Sequence, residues 1–99
     1  MIDLARVVGF DWDEGNARQN ESHAVVQVET EDVFFDPRLL IAPDLRHSDR
    51  EPRLHALGET SDGRGLHVTF TLRAEGTRIR VISARDMHRK ERAVYESQS

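Results

Sequence analysis

The chain has 99 residues, a formal net charge of −4 and no cysteine, and this length predicts a single domain over residues 1–99 with one hydrophobic core. The composition excludes a disulfide scaffold, a thiolate zinc site and a cysteine nucleophile. No apolar run approaches the roughly 20 residues of a membrane-spanning helix and the N-terminal sequence lacks the order of a secretory signal, so we expect a cytoplasmic protein without membrane contact.

The N-terminal third predicts a short strand followed by a helix. The sequence RVVGFDW, residues 6–12, is typical of a first strand. Asp13 and Glu14 then offer a helix N-cap and an acidic first turn. Residues 14–23 are therefore predicted to be helical, although Ala17 is the one apolar residue in this stretch with a strong helix preference.

Residues 24–36 fit two interpretations. Val26, Val28 and Thr30 alternate with polar residues as they do in a strand, whereas the spacing of Val25, Val28, Asp32 and Phe35 is helical. The Asp36-Pro37 pair ends the segment in either case. We take the helix as the second of two N-terminal helices, with the three phenylalanines Phe34, Phe35 and Phe70 in the core.

The following residues predict an antiparallel meander. An apolar run at 38–42 stops at Pro43, a polar loop covers 44–51, and a strand is predicted over 52–59. The sequence LHVTFTLR, residues 66–73, alternates between an apolar and a polar face. After the turn AEGT, the sequence RIRVIS, residues 78–83, alternates again and predicts the returning strand.

A C-terminal helix is predicted to begin at Ser83, because Ser83 and Asp86 have the spacing of a capping box. In a helical projection, one stripe is apolar and the other is basic. The apolar stripe, which we expect to dock on the sheet, contains Ala84, Met87, Val94 and Tyr95. The basic stripe contains Arg85, His88, Arg89 and Arg92.

The positive charge of the chain is concentrated at its end. Residues 1–62 hold six arginines against fourteen acidic residues, a net charge of −8, whereas residues 63–99 hold seven arginines and Lys90 against four acidic residues, a net charge of +4. Arginine presents a planar fork that suits phosphate. Two interpretations follow: the arginines bind a phosphate backbone, or they form salt bridges with the acidic half of the chain.

Several motifs resemble those of the BrnT family, the toxins of bacterial type II toxin–antitoxin modules. They extend over most of the chain, from about Gly9 to Glu96. The most specific is IRVISAR with RKER and a Tyr-Glu pair behind it. The others are GFDWDE with Asn16 and Asn20, then His23, VFFDP, RHS, EPR and ALG.

The resemblance implies an α+β, RelE-like fold, in which a twisted antiparallel sheet carries two N-terminal helices and a C-terminal helix. It implies a ribonuclease that slows growth by cleaving RNA and needs no cofactor. A BrnA-like ribbon-helix-helix antitoxin encoded beside the toxin is expected to neutralise it, in a heterotetramer. Operator DNA is expected to be bound only through that antitoxin.

Three positions depart from the family pattern. The family reads Lys-His-Gly-Val-Ser after the first helix, and this chain reads Ser22-His23-Ala24-Val25-Val26. The lysine and the glycine are replaced, and a valine stands where a serine would cap the second helix. These changes and the net acidity support an alternative hypothesis, a catalytically attenuated relative that acts as an antitoxin-binding and co-repressor module.

Metal-independent RNA cleavage requires a base, an acid and fixed cations at the phosphate. We predict that Arg53, Arg80 and Arg85, which lie in matching motifs, stabilise the phosphate. Glu51 or His47 is predicted to transfer protons. The predicted catalytic residues are Arg53, Arg80, Arg85, Glu51 and His47. The predicted RNA-binding residues are Arg78, Arg89, Arg92 and His23.

Simpler interpretations apply to several of these side chains. Glu51 and His47 lie in a polar loop among arginines, where surface ion pairing is an equal alternative. His23 is a further candidate for proton transfer, and His55 and His67 are more remote ones. His55 and His67 fall in predicted strands, so the simpler interpretation is that they are exposed or face a partner. The five histidines show no metal-ligand spacing, so no metal site is predicted. A third hypothesis is a structural domain whose arginines only balance its own acidic half.

Overall fold

The computed structural model describes residues 4–21, 24–46 and 51–98. These residues form an α+β fold with one five-stranded sheet in the order β1-β5-β4-β3-β2. A 3-10 helix spans Leu4–Arg6. The strands are β1 (Gly9–Phe10), β2 (Leu40–Pro43), β3 (Leu54–Glu59), β4 (Gly65–Arg73) and β5 (Arg78–Asp86), and the helices are α1 (Glu14–Glu21), α2 (Gln27–Val33) and α3 (Arg89–Glu96).

The predicted meander is confirmed. Strands β3, β4 and β5 pair in antiparallel order, with Ala56 opposite Val68 and Val68 opposite Ala84. Alternate side chains of β4 point to one face, and this face, with Leu66, Val68 and Phe70 fully buried, packs under α2. The opposite face of β4 carries the half-buried His67 and Thr69, whereas Thr71 is buried and donates to the Pro52 carbonyl.

The sheet is mixed, so the prediction of a purely antiparallel sheet is wrong for its first strand. Gly9 and Phe10 of β1 lie parallel to Arg78 and Ile79 of β5. The chain reaches this edge from the N-terminus and leaves it through α1, so β1 and β5 are not hairpin neighbours. Sequence alternation alone does not specify the direction of such a distant pairing.

The ambiguous segment is a helix. Thr30 and Val33, three residues apart in α2, are fully buried on one helical face. Val25 is also fully buried but precedes the helix. Val28 is 74% exposed. It therefore lies neither on a buried strand face with Thr30 nor on a buried helical face with Val25, so both predicted spacings are wrong for this residue. Phe35 is also exposed, so its assignment to the core is wrong. Phe34 packs against the core and makes an edge-to-face contact with Phe70.

The C-terminal helix begins at Arg89, and the prediction that it begins at Ser83 is wrong. Ser83, Ala84 and Arg85 pair with Thr69, Val68 and His67, respectively, so β5 continues through the proposed capping box. The sheet ladder and the burial of Ala84 outweigh the local capping signal.

The N-terminus of α3 is capped at His88. The backbone N–H of His88 donates to Glu91 Oε1 at 2.8 Å. Because Arg85 lies on a strand, it does not share a helical stripe with Arg89 and Arg92. Val94 is 55% exposed and does not dock as predicted.

Tyr95 anchors α3 to the rest of the fold. Its ring is buried and its hydroxyl donates to Asp36, which also accepts the backbone N–H of Glu59 at 2.7 Å. The guanidinium of Arg38 lies over the ring, 4.7 Å from its centroid. This contact fixes the position of the helix that carries Glu91. No helix in the described ranges is long and apolar enough to cross a membrane.

Candidate functional site

The accessible face of the sheet contains a groove with a volume of about 430 Å³. We call it the sheet groove. The strands β3, β4 and β5 form its floor, and the loop after β2 forms one wall. Its lining is mostly polar and consists of Asp44, Arg46, Arg53, His55, His67, Thr69, Ile82, Ser83 and Arg85.

Strand register brings the polar side chains of the groove together. His55 of β3 lies directly opposite Thr69 of β4, and His67 of β4 lies directly opposite Arg85 of β5. Side chains directly opposite each other in an antiparallel pair project from the same face. The two imidazole rings consequently lie close together, with their centroids 4.7 Å apart.

His55 is held at both ring nitrogens. Its Nε2 lies 3.1 Å from Asp44 Oδ2, and its Nδ1 lies 3.0 Å from Thr69 Oγ1. A carboxylate is an acceptor only, so the Nε2 atom carries a proton and donates to Asp44. In a neutral ring, Nδ1 then accepts the Thr69 hydroxyl. The carboxylate thereby fixes both the orientation and the tautomer of His55.

Arg85 forms a bidentate pair with Glu91. Its Nη1 and Nη2 atoms donate to the two carboxylate oxygens, each at 2.8 Å, and Nη1 also donates to the Asp86 carbonyl at 3.1 Å. Hydrogen bonds from Arg85, followed by the one from the His88 N–H, lower the pKa of Glu91 to about 2 against the opposing effect of burial. Glu91 is therefore charged at neutral pH.

His67 is a neutral imidazole at neutral pH. Burial, and then the positive charge of Arg85, lower its pKa to about 4. Glu91 opposes this effect, because its Oε2 lies 3.7 Å from His67 Nε2. A neutral imidazole has one nitrogen able to accept a proton. The sheet groove thus contains a proton acceptor next to a fixed cation.

Of the predicted catalytic residues, the structure brings Arg53 and Arg85 to the sheet groove. Glu51 does not line it and pairs with Arg73 at 3.0 Å. Arg80 also lies outside it, where its Nη2 is 2.9 Å from Asp13 and its Nη1 is 3.5 Å from Asp11. His47 lies outside the described residues.

The predicted RNA-binding residues do not form one patch. Arg78 is exposed beside β1, and its Nη1 lies 3.5 Å from the Phe10 carbonyl. Arg89 is exposed in the first turn of α3. Arg92 crosses over Gly65 and pairs with Glu59 at 3.3 Å. His23 lies outside the described residues.

Several arginines of the basic third pair with the acidic half of the chain. Arg64 donates to Glu29, Arg73 to Glu51, Arg80 to Asp13 and Arg92 to Glu59. For these residues the salt-bridge interpretation of the charge asymmetry is confirmed. The basic third is therefore not one continuous phosphate-binding surface.

The sequence interpretation gave two residues of the site little weight and missed two others. His55 and His67 were only remote candidates for proton transfer, and Asp44 and Glu91 were not singled out. A signal was present, because the predicted strands 52–59 and 66–73 each carry a histidine on the face opposite the apolar residues. Pairing these strands in register places both histidines on one polar surface. Glu91 gave no comparable signal, since its contact with Arg85 depends on the docking of α3.

The described residues hold no metal-binding cluster, and the chain matches a known family. Among the residues that the structure describes, no group of three or more histidine, aspartate or glutamate side chains is arranged to hold a metal ion. A family model described as "Ribonuclease toxin, BrnT, of type II toxin-antitoxin system" matches residues 12–91. A search of curated protein sequences finds no significant match.

Proposed function

This chain belongs to the BrnT family of ribonuclease toxins from type II toxin–antitoxin systems, and from that premise we propose that it is a metal-independent endoribonuclease whose reaction takes place in the sheet groove. The observation that carries the proposal is the meeting of Arg53, Arg85, His55 and His67 on one accessible surface. These side chains supply the fixed cations and the proton-transfer groups that RNA transphosphorylation requires.

The proposed reaction begins with the 2′-hydroxyl of the RNA. Neutral His67 accepts its proton, and the resulting oxygen attacks the adjacent phosphorus. The bond from phosphorus to the 5′-oxygen breaks, and that oxygen takes a proton from the Thr69 hydroxyl. Nδ1 of protonated His55 replaces this proton while Asp44 holds Nε2. The products are a 2′,3′-cyclic phosphate and a free 5′-hydroxyl. Arg53 and Arg85 stabilise the negative charge that accumulates on the phosphorane.

This assignment changes the predicted roles of some residues. Proton transfer passes from Glu51 and His47 to the two groove histidines, because Glu51 is engaged by Arg73 outside the groove. Arg80 becomes a tether between β5 and the residues that precede α1. The prediction that Arg78 and Arg89 contact RNA beyond the groove stays a prediction.

The toxin–antitoxin family implies a protein antitoxin as a partner and RNA as the substrate. We propose that the antitoxin is a BrnA-like ribbon-helix-helix protein, that the complex is a heterotetramer, and that operator DNA is bound through the antitoxin alone. The RelE-like architecture implied by the resemblance also stays a proposal. Its support is the α+β class and the central meander.

The departures at Ala24 and Val26 bear on α2 more than on the groove. Ala24 and Val26 do not line the sheet groove, and Val26 is the N-cap residue of α2. We therefore favour an active nuclease over the attenuated antitoxin-binding module. Ser22 lies outside the described residues.

The test is cleavage of a defined RNA by purified, antitoxin-free protein in EDTA. We expect cleavage by the parent and a loss of about 100-fold or more in Arg85→Ala, since fixed donors to a developing oxyanion contribute on this scale. Arg18→Ala is the matched control, because Arg18 is exposed and pairs with Glu14 on α1. Retained cleavage in Arg85→Ala would contradict the proposed site, and no cleavage by folded parent protein would favour the attenuated module.

A further inference from the structure

We infer that Glu91 is a positioning residue that fixes the guanidinium of Arg85 so that its Nε–Nη2 edge binds the RNA phosphate. The inference rests on the proposed function of the sheet groove and adds a specific role for a residue of α3. Glu91 does not line the groove. It would act on the reaction through Arg85.

Arg85 has more N–H donors than its contacts with Glu91 and Asp86 use. A guanidinium has five N–H donors, of which Nη1 and Nη2 carry two each and Nε carries one. Glu91 accepts one from Nη1 and one from Nη2, and the Asp86 carbonyl accepts the second from Nη1. Among the residues that the structure describes, no acceptor is recorded for the remaining two donors, on Nη2 and Nε.

The geometry of the guanidinium places these two donors together. When Glu91 occupies the end formed by Nη1 and Nη2, the remaining Nη2 and Nε donors lie parallel along the neighbouring edge. Two parallel donors match two oxygens of a phosphate. Arg85 lines the sheet groove and is not fully buried, so an anion in the groove has access to this edge.

Glu91 is itself held in place. The His88 N–H donates to Oε1 at 2.8 Å, and the buried Tyr95 fixes α3 on the sheet. The side chains of Arg85 and Glu91 are 28% and 23% exposed, so water competes only partly for their contact. A guanidinium held by a fixed carboxylate loses less entropy when it binds the transition state.

Three possible roles of Glu91 predict different kinetics: positioning Arg85, competing with phosphate for Arg85, and a purely structural role. If Glu91 positions Arg85, Glu91→Gln lowers kcat about 10-fold to 100-fold. KM stays unchanged or falls, because the groove loses a negative charge. If Glu91 competed with phosphate for Arg85, the substitution would raise kcat/KM. A purely structural role would lower the melting temperature and leave kcat unchanged at temperatures where the variant is folded.

Glu96→Gln is the matched control. It removes the same charge from the same helix, but Glu96 is exposed and does not contact Arg85. We expect kcat and KM to match the parent. Circular dichroism and the melting temperature of each variant identify the range in which all of them are folded. Unchanged or increased kcat in Glu91→Gln, with a parent that cleaves RNA, would overturn the inference and leave the proposed nuclease intact.

A binding measurement separates this inference from the proposed activity. Inorganic phosphate is titrated into ¹⁵N-labelled protein while the Arg85 Nε–H signal is followed by NMR. We expect a saturable shift in the parent and in Glu96→Gln, and a much smaller one in Glu91→Gln. Absence of a shift in the parent, or an equal shift in Glu91→Gln, would overturn the inference whether or not RNA is cleaved.

Discussion

At the scale of single residues, His67 has a protonation state set by its surroundings. The side chain is 13% exposed and lies directly opposite Arg85. Burial and the neighbouring cation disfavour the imidazolium and hold its pKa at about 4, whereas an imidazole in water has a pKa of 6.5. The same two effects keep His67 unprotonated at neutral pH and make the folded state sensitive to acid.

We predict that His67→Gln reduces the acid sensitivity of folding. Between pH 6.5 and about 4 the unfolded chain holds a proton on this residue and the folded chain does not, so stability falls as the pH falls through this interval. The loss attributable to His67 is at most about 3 kcal/mol. Urea unfolding at pH 7 and pH 4.5 measures the free energy of unfolding at each pH. We expect the decrease between the two values to be smaller in His67→Gln than in the parent.

The control for this measurement is His88→Gln. His88 is exposed at the start of α3, and we expect this variant to keep the acid-dependent loss of the parent. An equal loss in the parent and in His67→Gln would contradict the assignment of a buried neutral imidazole.

At the scale of elements, α2 begins with a weak cap. Val26 is the N-cap residue and has extended backbone angles, φ −89° and ψ 160°, but its side chain has no hydrogen-bond acceptor. The preceding Ala24 has φ +57°, a left-handed conformation that glycine adopts more readily. The Val26 N–H donates to Glu29 Oε1 at 3.1 Å, and the inner face of the helix is buried. Both features stabilise the helix.

We predict that Val26→Ser stabilises the protein by about 0.5–1 kcal/mol, because a serine hydroxyl accepts an N–H of the first helical turn. Val26 is 57% exposed, so little buried apolar contact is lost. The expected result is a higher melting temperature. Val28→Ser is the control, since it adds a hydroxyl to an exposed position inside the same helix and is expected to give no increase. A melting temperature in Val26→Ser no higher than that of the parent would contradict the capping argument.

At the scale of the whole molecule, RNA binding has to occur against a net charge of −4. Four arginines of the C-terminal third are paired with carboxylates, which neutralise their charge locally. The sheet groove places Arg46, Arg53 and Arg85 along one surface, where Arg85 is itself paired with Glu91. Because three arginines make few phosphate contacts, we expect RNA affinity to depend only moderately on salt.

We predict a slope of about −2 for the logarithm of the RNA association constant against the logarithm of salt concentration, from roughly −0.7 for each of three phosphate contacts. Arg53→Ala is expected to reduce the magnitude of the slope by about 0.7. Fluorescence anisotropy with a 2′-deoxy oligonucleotide measures binding without cleavage, and Arg18→Ala provides the charge-matched control. The same slope in Arg53→Ala and the parent would place Arg53 outside the RNA contact.

The elements defined by local pattern were predictable from the sequence. The alternation of residues 66–73 and 78–83 determined the two central strands and their buried faces, and the motifs indicated the family. The candidate site was predictable in part. Arg53 and Arg85 were identified from motifs, and His55 and His67 were located on strands as remote candidates for proton transfer.

Tertiary structure decided the features that depend on contacts between distant residues. The β5–β4 ladder extends the strand through Ser83 to Asp86 and overrides a capping signal, because paired backbone groups and the burial of Ala84 outweigh a local cap. The docking of α3 through Tyr95 brings Glu91 to Arg85. The sequence by itself thus determined which residues carry charge and which faces are apolar. The register of the sheet and the docking of α3 decided which charges meet, since a contact between side chains requires both backbones to be fixed first.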